Sequence, residues 1–301
     1  TIPAMKDEGY DPDYSAALSS AASLLGPMIP PSITLIVYAG LTEASVQKLF
    51  LATLTPAILC TVAFLAYTLW YGKKKNLPKQ PKKTAKEAGK IMLDAIWALL
   101  LPVIVLGLIF SGATTVTEAA AVSCLYSAVV SLFIYKTITF KDLLKILGDS
   151  AVSIAAIMIL VGMSKATAYV VISSQMPQLF MDFITSITDS RFVVLLIINV
   201  IFLILGCLME GNCIIVMMVP LLLTLVKSFG IDLLQFGVMS AINIYIGCIT
   251  PPVGVSLLLG CKLGKTSVGG TFKAILPFFA ISMVILILVT YWPSFTLWLI
   301  H

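Results

Sequence analysis

Glycine and proline cluster at two places inside otherwise apolar stretches. The first cluster holds Gly26-Pro27 and Pro30-Pro31; the second holds Gly247, Thr250, Pro251, Pro252 and Gly254. Proline has no amide hydrogen and its ring clashes with the preceding turn, so a double proline flanked by glycine must break a helix. A broken helix leaves carbonyl oxygens and amide hydrogens without partners. Bare carbonyls and half-helix C-termini suit a hard cation such as sodium; half-helix N-termini suit a carboxylate. This chemistry needs no charged side chain, and neither cluster contains one. A third interruption, Glu210-Gly211-Asn212, places one carboxylate at the tip of what reads as a hairpin.

Other chemistries find no residues to carry them. The only histidine is the last residue, His301. The six cysteines lie within or at the ends of apolar runs and none forms a CxxC pair, which predicts buried free thiols acting as small hydrophobes. No cluster with transition-metal spacing and no Ser–His pair can be assembled. The chain is read as a non-enzyme without an organic cofactor.

The elements that must position these breaks are membrane helices. The chain is 59% hydrophobic and 11% charged, against roughly 25% charged in a soluble domain. Apolar runs over 49–71, 91–110, 116–135, 150–173, 192–209 and 272–300 approach the ~20 residues that cross a bilayer. Between Gly72 and Lys90 stand eight lysines against one acid, Glu87, and a smaller basic loop holds Lys136, Lys141 and Lys145. Lysine-rich loops stay cytoplasmic during insertion, so both are predicted on that side. Lacking interleaved aromatics and lying between membrane segments, the first of the two loops does not read as a nucleic-acid patch. Ser111-Gly112-Ala113-Thr114-Thr115 reads as the turn of an out-and-back pair between them. The segments 15–40, 205–226 and 233–263 are too interrupted to be plain spans. Broken backbone survives at membrane depth only where protein or a water-filled cavity surrounds it, so these segments are candidate sites.

The breaks match each other. Gly9, Gly26, Pro30 and Pro31 recur as Gly230, Gly247, Pro251 and Pro252 at one common offset of 221 residues. Upstream, Ile2-Pro3 parallels Val219-Pro220 with a slip of about one helical turn. Paired repeats of this kind build many secondary transporters: each half supplies a re-entrant hairpin and a broken helix, and the halves meet near the bilayer midplane. By this alignment Thr1 to Tyr14 correspond to the descending arm of the second hairpin, Val219 to Gln235. The other arm of the first hairpin is then expected before Thr1, and the chain is expected to lack an N-terminal portion.

The stretches GPMIPPSITLIVYAGLTEASVQKLFLATLTPAIL, GATTVTEAAAVSCLYS and FGVMSAINIYIGCITPPVGVSLLL resemble the large membrane subunit of TRAP (tripartite ATP-independent periplasmic) transporters. The resemblance covers nearly the whole chain in order. It implies an all-α integral membrane protein of the elevator-type ion-transporter fold, with inverted repeats, re-entrant hairpins and broken transmembrane helices. It implies a bacterial inner-membrane permease that moves a small organic carboxylate, such as a C4-dicarboxylate or sialic acid, by symport with sodium. The implied partners are a periplasmic substrate-binding protein and a small four-helix membrane subunit. Residues 1–48 would be the end of the first hairpin and the first broken helix. Residues 49–150 would be scaffold helices with the Lys-rich loop 72–90, and 151–271 the second-repeat transport domain, with its hairpin about 205–226 and broken helix 233–263. Residues 272–301 would be a C-terminal transmembrane helix. Carried over by position, Gly26, Ile29, Pro30, Pro31 and Ser32 would line a first sodium site, incomplete here because the first hairpin tip lies outside the chain. Gly211, Asn212, Gly247, Thr250, Pro251, Val253 and Gly254 would line a second. Ser32, Asn212, Gly254 and Lys165 would face the substrate. The tip sequence MEGN departs from the small, glycine-rich tip expected there.

Several residues have plainer readings. Lys165, mid-segment in LVGMSKATAYVV, either attracts a carboxylate or snorkels to an interface. Glu118 reads as a local cap, with Thr117-Glu118 opening a helix. Asn243, four residues before Gly247, reads as a helix–helix hydrogen bond. Arg191, the sole arginine, reads as a loop or headgroup anchor, and Tyr291, Trp292 and Trp298 as an interfacial aromatic belt. Two rival functions remain: an elevator-type anion symporter that works without a binding protein, and an inactive membrane scaffold.

Overall fold

The computed structural model describes residues 1–75, 77 and 85–300, except the side chains of 85, 86, 88, 90, 156, 157, 160, 161, 164, 165 and 168. Among the described residues all regular structure is helical. In chain order the helices are α1 (Ile2–Asp7), α2 (Pro12–Ala22), α3 (Leu25–Met28), α4 (Ile33–Thr42), α5 (Val46–Lys74), α6 (Ala85–Phe110), α7 (Val116–Val129), α8 (Phe140–Ser173), α9 (Met176–Ile187), α10 (Arg191–Leu208), α11 (Gly211–Ser228), α12 (Leu233–Cys248), α13 (Val255–Gly264), α14 (Val268–Tyr291) and α15 (Pro293–Leu297). Seven segments among them are long and apolar enough to cross a membrane: Pro12–Thr42, Val46–Lys74, Ile91–Phe110, Val116–Ile134, Arg191–Leu208, Gly211–Ser228 and Val268–Tyr291. The protein is an all-α integral membrane protein.

The chain divides into two compact units, 1–78 with 163–301, and 79–162. In the second unit α6 and α7 form the out-and-back pair, joined by 111–115. The Tyr126 hydroxyl donates to Trp97 O at 2.8 Å and Tyr135 to Asp94 O at 2.7 Å. Helix α7 opens two residues earlier than Thr117, where the sequence predicts it. Thr115 is its N-cap, and Glu118 is the third residue of a reciprocal capping box. The head of α8 repeats the device: Asp142 Oδ2 accepts from Thr139 Oγ1 at 2.6 Å and from its amide at 2.9 Å. Those two bonds hold the Asp142 carboxyl below the usual aspartate range, the hydroxyl bond contributing most. Cys124 is exposed on α7, unlike the buried Cys60, Cys207, Cys248 and Cys261; no cysteine is paired.

In the first unit the internal repeat is visible in the backbone. Asp11 caps α2 by accepting from Tyr14 N, and Asp232, its counterpart, caps α12 by accepting from Leu234 N and Gln235 N. Gly9 and Gly230 precede them at φ 84 and 61. Pro30-Pro31 and Pro251-Pro252 are both cis. Past the breaks the two ten-residue helices α4 and α13 end on left-handed residues, Glu43 and Lys265. Ser45 and Ser267 then cap α5 and α14. So α2, α4 and α5 repeat as α12, α13 and α14.

The two copies pack reciprocally. Helix α2 lies on α13 and α14, while α12 lies on α4 and α5. Each broken helix thus lays its first half on the second half of the other. Water cannot drive such contacts inside a bilayer, so close packing and interhelical hydrogen bonds must hold them. Tyr14 stacks on Tyr71 at 3.8 Å and Phe64 meets Phe278 edge-on at 5.1 Å, joining α2, α5 and α14. Helix α12 is central: of residues 235–248 only Tyr245 is not fully buried. The apolar run 272–300 is not a single helix, because α14 ends at Tyr291 and Pro293 opens the short α15. Trp298 then donates to Thr55 Oγ1 at 2.7 Å, tying this end back to α5.

Candidate functional site

At the first break α3 ends at Met28, and Ile29-Pro30-Pro31-Ser32 leads into α4. Ser32 is buried, and its Oγ accepts from Leu35 N at 3.4 Å as the cap of α4. That bond takes one of the two lone pairs of the Ser32 oxygen. Ile29 is exposed, and Gly26 is open as well: beyond its chain neighbours and its own helix, no heavy atom lies within 4 Å of a Cβ placed on it.

At the second break Thr250 N donates to Gly247 O at 2.9 Å, tightening the last turn of α12. The Thr250 hydroxyl donates to Ile246 O at 2.7 Å, which spends its proton and leaves its lone pairs uncommitted. Pro251, Pro252 and Val253 carry the chain to Gly254, whose φ is +43. A Cβ there would lie 2.6 Å from Thr250 O and 3.2 Å from Cys248 O. Two carbonyl oxygens thus converge on the Gly254 α-carbon, and neither accepts a hydrogen bond among the described residues. These carbonyls and the Thr250 hydroxyl of the same loop are oxygen donors of the type a hard cation prefers. The Gly254 amide is not free, since it donates to Cys207 O of α10 at 3.0 Å. No side chain caps α13, so its first-turn amides remain available to an anion.

The hairpin α10–α11 brings its tip to this loop. Gly206 and Gly247 touch backbone to backbone, and Gly211 packs on Ile244 and Tyr245. Glu210 is the N-cap of α11: its Oε2 accepts from the amides of Asn212 and Cys213 at 2.9 and 3.2 Å. Its Oε1 accepts from Asn212 Nδ2 at 2.9 Å. The unexpected acid of MEGN is thus a helix cap favoured by the dipole. Thr34, in the first turn of α4, donates to Asn212 Oδ1 at 3.0 Å and lies 2.5 Å from the Tyr245 hydroxyl. Residues just after the first break and just before the second therefore meet at one hairpin tip.

The remaining residues fall outside this cluster. Asn243 Nδ2 donates to Asn199 O and Oδ1, both at 2.8 Å, and Asn199 Nδ2 donates to Thr290 Oγ1 at 3.0 Å. It is a helix–helix bond, as its position predicts. Arg191 is exposed at the start of α10 and donates to Gln235 Oε1 of α12 at 3.5 Å. Lys165 lies in α8, and its side chain is outside the described ones. Sequence reasoning missed Thr34 and Tyr245, because a threonine and a tyrosine in an apolar helix carry no signal of their own.

The DctM component model of the tripartite ATP-independent periplasmic transporters matches residues 1–295. The chain belongs to this family. The DctM-type chain is 34% identical to the sialic acid TRAP transporter large permease of Vibrio cholerae, over 98% of its own length and 69% of that protein. It is 37% identical to the C4-dicarboxylate large permease of Pseudomonas aeruginosa, with the same coverage. It is 31% identical to the 2,3-diketo-L-gulonate large permease of Escherichia coli, over 97% of its length and 69% of that protein. Membership makes this DctM-type chain an inner-membrane transport protein and not an enzyme.

Proposed function

We propose that this chain is the large permease of a sodium-driven symporter that carries a small organic carboxylate inward across the inner membrane. The observation that supports it best is the oxygen-rich loop Cys248–Gly254 beside the uncapped N-terminus of α13. Sodium would bind the carbonyls of Cys248 and Thr250 and the Thr250 hydroxyl, under the hairpin tip at Gly211 and Asn212. The first-break residues Gly26, Ile29, Pro30, Pro31 and Ser32 would form the matching site. The cargo carboxylate would meet the amides that follow Gly254, where the dipole of α13 favours negative charge. Sialic acid, C4-dicarboxylate and 2,3-diketo-L-gulonate, the cargoes in the relatives' names, are all carboxylates. A periplasmic binding protein would deliver the cargo and a small membrane subunit would extend the scaffold. The reciprocally packed helices would then move as one body, in the elevator manner.

The test is uptake of labelled organic acids into proteoliposomes holding the full-length protein with its binding protein and small subunit. Uptake should need an inward sodium gradient, fail with potassium, and fall on substitution of Gly211 or Thr250. Uptake indifferent to sodium removes the coupling ion. Uptake without the binding protein points to a self-sufficient anion symporter, and no uptake under any condition points to a scaffold.

A further inference from the structure

The hydrogen bonds at the hairpin tip run in one direction. Thr34 Oγ1 donates its only proton to Asn212 Oδ1. The Tyr245 hydroxyl, 2.5 Å away, must then be the donor to Thr34. Asn212 Nδ2 donates onward to Glu210 Oε1, and the chain of donors ends on that carboxylate. Turning the Asn212 amide over would set its oxygen against the Glu210 carboxylate, so each member orients the next. Thr34 is 1% exposed, which keeps water from competing for its hydroxyl. Three elements contribute: α4 just past the first break, α12 just before the second, and α11 at the tip.

We propose that Thr34 and Tyr245 are positioning residues. They hold Asn212, and through it Glu210, in the pose that closes the hairpin tip over the second loop. Because Thr34 begins the helix that leaves the first loop, they also tie the loading of one loop to the other. The inference rests on the sodium-coupled reading above.

The test uses the full-length protein in a Cys124→Ser background, with its partner subunits. Cys213, next to Asn212 and half-buried, reports on the tip through its labelling by a membrane-permeant maleimide, located by peptide mass. Thr34→Val and Tyr245→Phe should each speed Cys213 labelling about tenfold, the scale of one lost hydrogen bond, and raise the sodium needed for half-maximal uptake by a similar factor. Thr34→Ser, which keeps the hydroxyl, should restore both. Unchanged labelling in Thr34→Val and Tyr245→Phe overturns the proposal, as does a Thr34→Ser protein that behaves like Thr34→Val. Should Thr34→Val fail to fold, Tyr245→Phe alone decides. A wild-type protein whose uptake ignores sodium sinks the coupling reading instead, and the labelling still decides the positioning role.

Discussion

Gly206 and Gly247 meet backbone to backbone: a Cβ on Gly247 would lie 2.5 Å from both the α-carbon and the carbonyl carbon of Gly206. Real carbon contacts sit near 3.5–4 Å, so alanine at either place must push α10 away from α12 by about an ångström. Gly247→Ala and Gly206→Ala should each cost roughly 1–3 kcal/mol and abolish uptake, and the double variant should cost less than their sum. Unfolding of the purified protein in detergent measures this. Gly26, the repeat counterpart of Gly247, has open space around it. Gly26→Ala should stay within about 0.5 kcal/mol of wild type; an equal loss would mean that Gly26 faces a surface absent from the described residues.

Thr250 separates a ligand role from a packing role. Its proton is already given to Ile246 O, so its oxygen can serve a cation without losing a bond. Thr250→Ser should keep sodium affinity close to wild type. Thr250→Val should raise half-saturating sodium by about tenfold or more, in line with roughly 1.5–3 kcal/mol for a contact to a charge. Sodium titration of uptake reads both. Equal behaviour of the two variants would confine Thr250 to packing.

Asn243 bridges α12 to α10 from a fully buried position. Asn243→Ala should destabilise the protein by about 1 kcal/mol, since interhelical polar bonds in membranes average about 0.6 and reach about 1.7 kcal/mol. Sodium dependence should be unchanged in whatever fraction remains folded. A shift in half-saturating sodium without a stability change would make Asn243 a ligand instead.

The lysine-rich end of α5 fixes an orientation that labelling can check. A cysteine at Lys75 should react with a membrane-impermeant thiol reagent only from the cytoplasmic side. A cysteine at Ala113, in the turn between α6 and α7, should react only from the opposite side. Modification of both from one face would reverse the reading of these two loops.

Much of the framework was legible because its signals act over a few residues. A proline that cannot donate an amide hydrogen breaks its helix whatever lies around it, so both breaks fall where Pro30-Pro31 and Pro251-Pro252 stand. The repeat was legible for the same reason, though its extent was not. Equivalence of α5 with α14 shows in the caps Ser45 and Ser267 and the left-handed Glu43 and Lys265, which single-residue matching passes over. Helix ends were less secure: Thr115 caps α7 two residues ahead of Thr117, because flanking threonines compete for the cap and only backbone geometry chooses.

From the sequence alone came the membrane class, the two breaks, their internal symmetry and the absence of hydrolytic or transition-metal residues, since hydropathy and proline chemistry are properties of short segments. Only the tertiary structure decided who meets whom. Thr34 finds Asn212 178 residues away and Tyr245 211 residues away, Arg191 reaches Gln235 across 44 residues, and each half-helix lies on the opposite copy. A hydroxyl or amide bonds whatever the crossing of two helices brings within about 3 Å, and that crossing is set by packing along their whole length.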